Sequence, residues 1–155
     1  MDLKARFPPE ERLKFVRERF RAGAVVRLFC DFTTPHKFKW LLFVSLQLRR
    51  PLFFIINTDP TEFAKRNARL RDQQVPINKA TNPFLKHDSF IDCSNAYDNF
   101  EKQAVIDALV NDTTLLLGTI CSATASAVIE SVSESETLST IHINQISMEI
   151  SRLVH

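Results

Sequence analysis

Apolar residues recur along this chain with two different periods, and the change of period divides it. In residues 8–22, Leu13, Val16 and Phe20 fall at helical spacing while Arg12, Lys14, Arg17, Arg19 and Arg21 take the other sides, which predicts a basic amphipathic helix. Pro8 and Pro9 followed by Glu10 and Glu11 suit its first turn, and Gly23 marks its exit. Strand-like runs come next at 24–32, 39–47 and 51–57, with a loop at 33–37 and a turn at Arg49-Arg50. Asp59-Pro60-Thr61-Glu62 opens a short helix over 60–70. Two further short strands, 74–77 and 89–94, complete the pattern of a small barrel.

From Asn99 the helical period returns. Phe100, Ala104, Ala108 and Leu109 share one side of a short helix that Asn111-Asp112 interrupts. A second helix is predicted over 113–132, rich in Ala, Ser and Thr and therefore dependent on packing. A third, 139–154, aligns Ile143, Ile146, Ile150 and Leu153 on one face, suited to packing on the helix before it. The fold class is α+β: an N-terminal helix (1–22), a barrel domain (23–98) and a C-terminal helical tail (99–155).

Charge follows the same division. Residues 1–80 hold 17 of the 20 Lys and Arg but 8 of the 18 Asp and Glu, so a formal net charge of +2 hides +9 in front and −7 behind. All 13 phenylalanines, with Trp40 and Tyr97, lie at or before Phe100. Cations interleaved with rings suit a nucleic-acid surface, because they release counterions from phosphates and stack on bases. Most of the phenylalanines lie in strand-like runs and belong to a core, which leaves Lys37, Arg49, Arg50, Lys65, Arg66, Arg69 and Arg71 to hold the polyanion. The acidic tail has the charge to fold back over this surface or to pair with it in a homodimer.

The same composition narrows the function classes. The charged, proline-containing start does not resemble a signal peptide, and the uncharged run 113–129 is interrupted by Thr and Ser and short for a membrane span, so a soluble cytoplasmic protein without membrane contact is expected. Cys30, Cys93 and Cys121 are odd in number and widely spaced, as free thiols in a reducing compartment are. Cys30 and His36 with His87 and Cys93 have zinc-ligand chemistry, but their spacing is unlike the usual close pairs and no metal is expected. Gly23 and Gly118 are the only glycines, which excludes a Gly-rich phosphate loop. His36, flanked by Lys37 and Lys39, has the makings of a general base beside positive charge.

Three segments in this order resemble the PemK/MazF-type toxins of bacterial toxin–antitoxin pairs. They are Gly23-Ala24-Val25-Val26, the run from Lys37 through Trp40 to Ser45, and Asp88-Ser89-Phe90-Ile91-Asp92-Cys93-Ser94, which together span residues 23–94. The resemblance implies an SH3-like barrel and a metal-independent endoribonuclease without cofactor, which cleaves single-stranded RNA through the substrate 2′-hydroxyl and pairs with an antitoxin. The family's Arg-Pro falls on Lys39-Trp40 and its Thr on Thr58, so Lys39 and Thr58 join His36 as the implied catalytic residues. A lysine holds phosphate as a point charge, without the planar fork of a guanidinium. The alternative is a non-catalytic module of the same fold that binds nucleic acid or protein, such as a defence accessory.

Overall fold

A computed structural model describes residues 7–154, apart from the side chain of Phe63; the first six residues of the predicted N-terminal segment lie outside the described residues. Its centre is set by two strands that are apolar on both sides. In β2 (Lys37–Ser45) the last five residues are all buried, and in β3 (Leu52–Asn57) all but the last are. Alternation along a strand sends Leu41, Phe43, Phe53 and Ile55 to one face and Leu42, Val44, Phe54 and Ile56 to the other. Each face must therefore be covered.

The sheet is antiparallel and six-stranded. It adds β1 (Ala24–Cys30), β4 (Gln74–Ile77), β5 (Ser89–Tyr97) and β6 (Leu116–Thr119) in the order β4-β5-β3-β2-β1-β6. Register shifts interrupt the β1–β6, β2–β3 and β3–β5 ladders, at positions that curl the sheet. The molecule is thus α+β, a curled antiparallel sheet with helices toward both ends of the chain.

On the first face lie α1 (Pro9–Arg19) and, numbering in chain order past the short α2 (Glu62–Arg66) and α3 (Ala68–Asp72), α4 (Lys102–Asn111). Phe20, just after α1, stacks on Phe43 at 4.2 Å between ring centroids, and Phe100 meets Phe53 edge-on at 5.6 Å. Such burial, about 1.5–3 kcal/mol for a fully covered Phe or Val, outweighs the exposed Lys14–Glu18 pair at 3.9 Å, worth at most about 1 kcal/mol. On the second face, α5 (Ser122–Ser133) and α6 (Thr140–Ile150) bring Ala125, Val128, Val132, Ile146 and Ile150 into one buried cluster with Val25, Leu42, Val44 and Phe54.

Residues 99–155 are therefore more than a helical tail. Where one helix was expected over 113–132, the chain makes a 3₁₀ turn (Thr113–Leu115), then β6, then α5. The open edge of β1 accepts this short apolar run as a strand, and Gly118 fits because any Cβ would sit 2.4 Å from the Phe84 ring. The helix expected over 60–70 divides at Asn67, whose side chain accepts from Arg69 N at 3.1 Å and starts α3 afresh. Gly23, at φ +97°, links three strand ends: its N–H donates to Phe43 O (2.7 Å) and its carbonyl accepts from Ile120 N (2.9 Å).

One carboxylate fastens the second layer. Glu149 of α6 is 2% exposed and accepts from the Ser45 hydroxyl, from Leu46 N (2.8 Å) and from Gln145 Nε2 (3.1 Å), where β2 ends. Glu149→Ala strands these donors and is expected to lower stability by about 1–3 kcal/mol in urea unfolding. A variant as stable as the parent would show that the carboxylate does not hold α6 down.

Candidate nucleic-acid interface

Helices α5 and α6 share their buried cluster with the cross-strand row Val25–Leu42–Phe54, and the row two residues further along the strands is Arg27–Trp40–Ile56. There the second face opens into a cleft of about 320 Å³. Arg27, Phe38 and Trp40 form one wall, and Thr58, Lys86, His87 and Ser89 the other. Arg27 is exposed and holds its guanidinium 4.4 Å over the Phe38 ring. Phe38 is itself 45% exposed, and beyond it Phe29, 50% exposed, meets it edge-on at 5.5 Å.

The loop that carries Lys86 and His87 is pinned to the body. Buried Asn82 donates to Asn78 O (3.2 Å) and Thr124 Oγ1 (3.1 Å) and accepts from Cys121 N (2.9 Å), so the loop is clasped to the start of α5. Asp88 adds a bond by accepting from Lys79 N at 2.9 Å. His87 Nδ1 lies 3.3 Å from both Asp88 O and Ser89 Oγ, while Ser89 Oγ donates to His87 O at 3.2 Å. The Asp88 carbonyl can only accept, so the tautomer with its proton on Nδ1 suits this contact, and among the described residues Nε2 makes no hydrogen bond.

The structure divides the residues singled out in the sequence. Thr58 lines the cleft. Lys39 does not: alternation along β2 turns Phe38 and Trp40 to the second face and Lys37 and Lys39 to the first, where Lys39 Nζ donates to Asn57 Oδ1 at 3.4 Å. Burial, with Lys37 beside it, holds the Lys39 ammonium below its ordinary pKa, and burial pushes the neighbouring Cys30 thiol up to about 11. His36 is exposed on the loop before β2, outside the cleft. Lys39, Thr58 and His36 are therefore not brought together as one site.

The binding residues separate too. Arg49 and Arg50 line a different hollow, of about 470 Å³, with Asp98 and His142 at the far end of β2 and β3; Arg50 lies 3.7 Å from Glu101. Lys65, Arg66, Arg69 and Arg71 are exposed on α2 and α3, where Arg69 pairs with Glu136 at 3.0 Å and Lys65 with Glu62 at 3.5 Å. The acidic half thus does reach the basic half, through Glu101 and Glu136. Of the residues with zinc-ligand chemistry, Cys30 is buried on the first face and Cys93 on the second, with the sheet between them. Among the described residues no three His, Cys, Asp or Glu side chains gather as metal ligands, and no helix is long and apolar enough to cross a membrane.

Sequence reasoning missed Arg27, Phe38, Trp40, Lys86, His87 and Ser89 as a group. The signal was present in Lys37-Phe38-Lys39-Trp40, whose alternation turns rings to one face and ammonium groups to the other, and in Arg27, an exposed charge inside an otherwise apolar strand. Compared with protein-family models and with curated proteins, the sequence matches none.

The clasp at Cys121 makes that thiol distinct. Burial alone would raise its pKa, but hydrogen bonds from Thr124, from Thr81 and from the Ala123 backbone outweigh it and bring it below the ordinary 9.0. Burial raises Cys30 and Cys93. Iodoacetamide is expected to modify Cys121 alone in the folded protein, at a rate that rises with pH and reaches half its maximum below pH 9.0. Peptide mass mapping checks this, and equal labelling of all three cysteines without denaturant would contradict it.

Proposed function

We propose that the protein binds single-stranded RNA in this cleft and cleaves it as a toxin-type, metal-independent endoribonuclease. What carries the reading is the gathering of a guanidinium, two accessible rings and a histidine with a free Nε2 in one cleft. Phe38 and Trp40 offer faces on which bases stack, and Arg27 offers the bidentate fork for phosphate that Lys39 lacks. In the reaction, His87 Nε2 takes the proton of the 2′-hydroxyl. The 2′-oxygen then bonds to phosphorus, the bond to the 5′-oxygen breaks, that oxygen takes a proton from water, and the hydroxide so formed takes the proton held by His87, leaving a 2′,3′-cyclic phosphate, a 5′-hydroxyl and a neutral His87. Arg27 stabilises the charge that grows on the phosphate oxygens. The SH3-like assignment and the antitoxin partner belong to this reading and rest on the three segments between residues 23 and 94; the curled antiparallel sheet is compatible with them.

A second reading, RNA binding without cleavage, draws on a specific observation. Lys39, at the position of the family's arginine, lies on the face opposite Thr58.

One set of measurements separates the two. With mixed-sequence single-stranded RNA and EDTA, cleavage is expected to give 2′,3′-cyclic ends, His87→Ala to slow it by about 10²–10⁴-fold, and Lys39→Ala to leave it unchanged. Trp40 is the only tryptophan and lines the cleft, so its fluorescence reports binding independently. Quenching that weakens with salt, without cleavage, leaves the binding module; neither quenching nor cleavage removes both readings.

A further inference from the structure

Arg27 and Phe38 line two cavities. One is the cleft; the other is an apolar groove of about 500 Å³ between the edge of β1 and α4. The groove exists because β6 stops early. It pairs with β1 only through Ala24, Val25 and Val26, so the backbone from Arg27 to Cys30 has no strand on that side among the described residues. Opposite this edge α4 presents Ala104 and Ala108, one turn apart, whose small side chains leave a slot facing Leu28 and Phe29. Asn111 stands in its lining with an exposed amide, which offers both donors and an acceptor.

We infer that this groove is a second base-binding subsite, which takes the nucleobase adjoining the nucleotide held in the cleft; the inference rests on the RNA reading of that cleft. Continuity supports it. Arg27 stands on the partition between the two cavities, so a phosphate held by its guanidinium has one base directed along Trp40 and the next along Phe29. The groove's surface is apolar and aromatic, as a stacked base requires, and at its end Asp112 Oδ1 accepts from Thr114 N (3.1 Å) and Thr114 Oγ1 (2.5 Å). The exposed Asn111 amide supplies hydrogen-bonding groups for a base edge. The substrate is thereby an unpaired strand of at least two nucleotides, since a duplex would not part its bases around Arg27.

The test compares adenosine 3′-monophosphate with 2′-O-methyl adenosine di- and tetranucleotides, which lack the free 2′-hydroxyl needed for cleavage, by quenching of Trp40. The dinucleotide is expected to bind at least about fivefold more tightly than the mononucleotide. Ala104→Phe, an exposed position whose new ring fills the groove without adding a second tryptophan, is expected to abolish that gain while mononucleotide binding stays as it was. Phe29→Ala, also at an exposed position, is expected to reduce the gain without unfolding the protein. If the dinucleotide gains nothing, or if Ala104→Phe leaves the gain intact, the groove is not a base subsite and is free for another ligand, such as a protein segment. Should the mononucleotide and both oligonucleotides fail to quench Trp40, the cleft reading fails and this inference with it.

Discussion

The architecture depends on one constraint, that β2 and β3 are apolar on both faces. A strand buried on one side needs a single covering layer; Leu41-Leu42-Phe43-Val44 and Leu52 through Ile56 need two. The chain provides one by placing α1 and α4 on the first face, and the other by returning α5 and α6 across the second. Gly23 and Glu149 are the fittings that make the return possible. The glycine lets three strand ends meet, and the carboxylate closes α6 onto the end of β2.

The second layer is also incomplete, and the cleft follows from that. Beyond the helices the sheet carries Arg27 and Trp40 rather than another aliphatic row, and a loop clasped by Asn82 stands opposite. The same economy of strand at β6 leaves the groove beside β1. Exposed rings at Phe29 and Phe38 cost little when a guanidinium packs against one of them, and they leave apolar faces available to a ligand.

Much of the fold was legible in the sequence because period and punctuation act locally. The Pro-Pro-Glu-Glu start of α1, the Gly23 exit, the short apolar runs of β1 to β3 and the isoleucine seam of α6 are each set within a few residues. What was not legible depends on distant partners. Residues 116–119 read as helix from their neighbours, and they become a strand only because β1 has an edge to offer and Phe84 leaves room for nothing larger than a glycine at 118. The site fared worse for the same reason. His87 and Arg27 are 60 positions apart in sequence, and only the register Arg27–Trp40–Ile56–Ile91 places them in one cleft. Lys39 was read as part of the site because it falls at the position of the family's arginine and near His36 in sequence, whereas alternation along β2 turns it to the face opposite Trp40 and Thr58.

The densest positive charge and the aromatic cleft lie in different places on the fold, and the reason is physical. The densest basic clusters, at Arg49-Arg50 and from Lys65 to Arg71, are the ones the acidic half reaches, through Glu101 and Glu136. Each pair is exposed and worth at most about 1 kcal/mol, so these contacts do not remove the cations from play, but they do reduce the local field. Arg27 is different in kind. It is a single charge, but it lies beside aromatic faces, across from a histidine with a free nitrogen, on a rigid strand. Phosphate is attracted by charge from many directions, whereas a base is placed only by a surface that fits it, and at Arg27 the fold provides the two side by side.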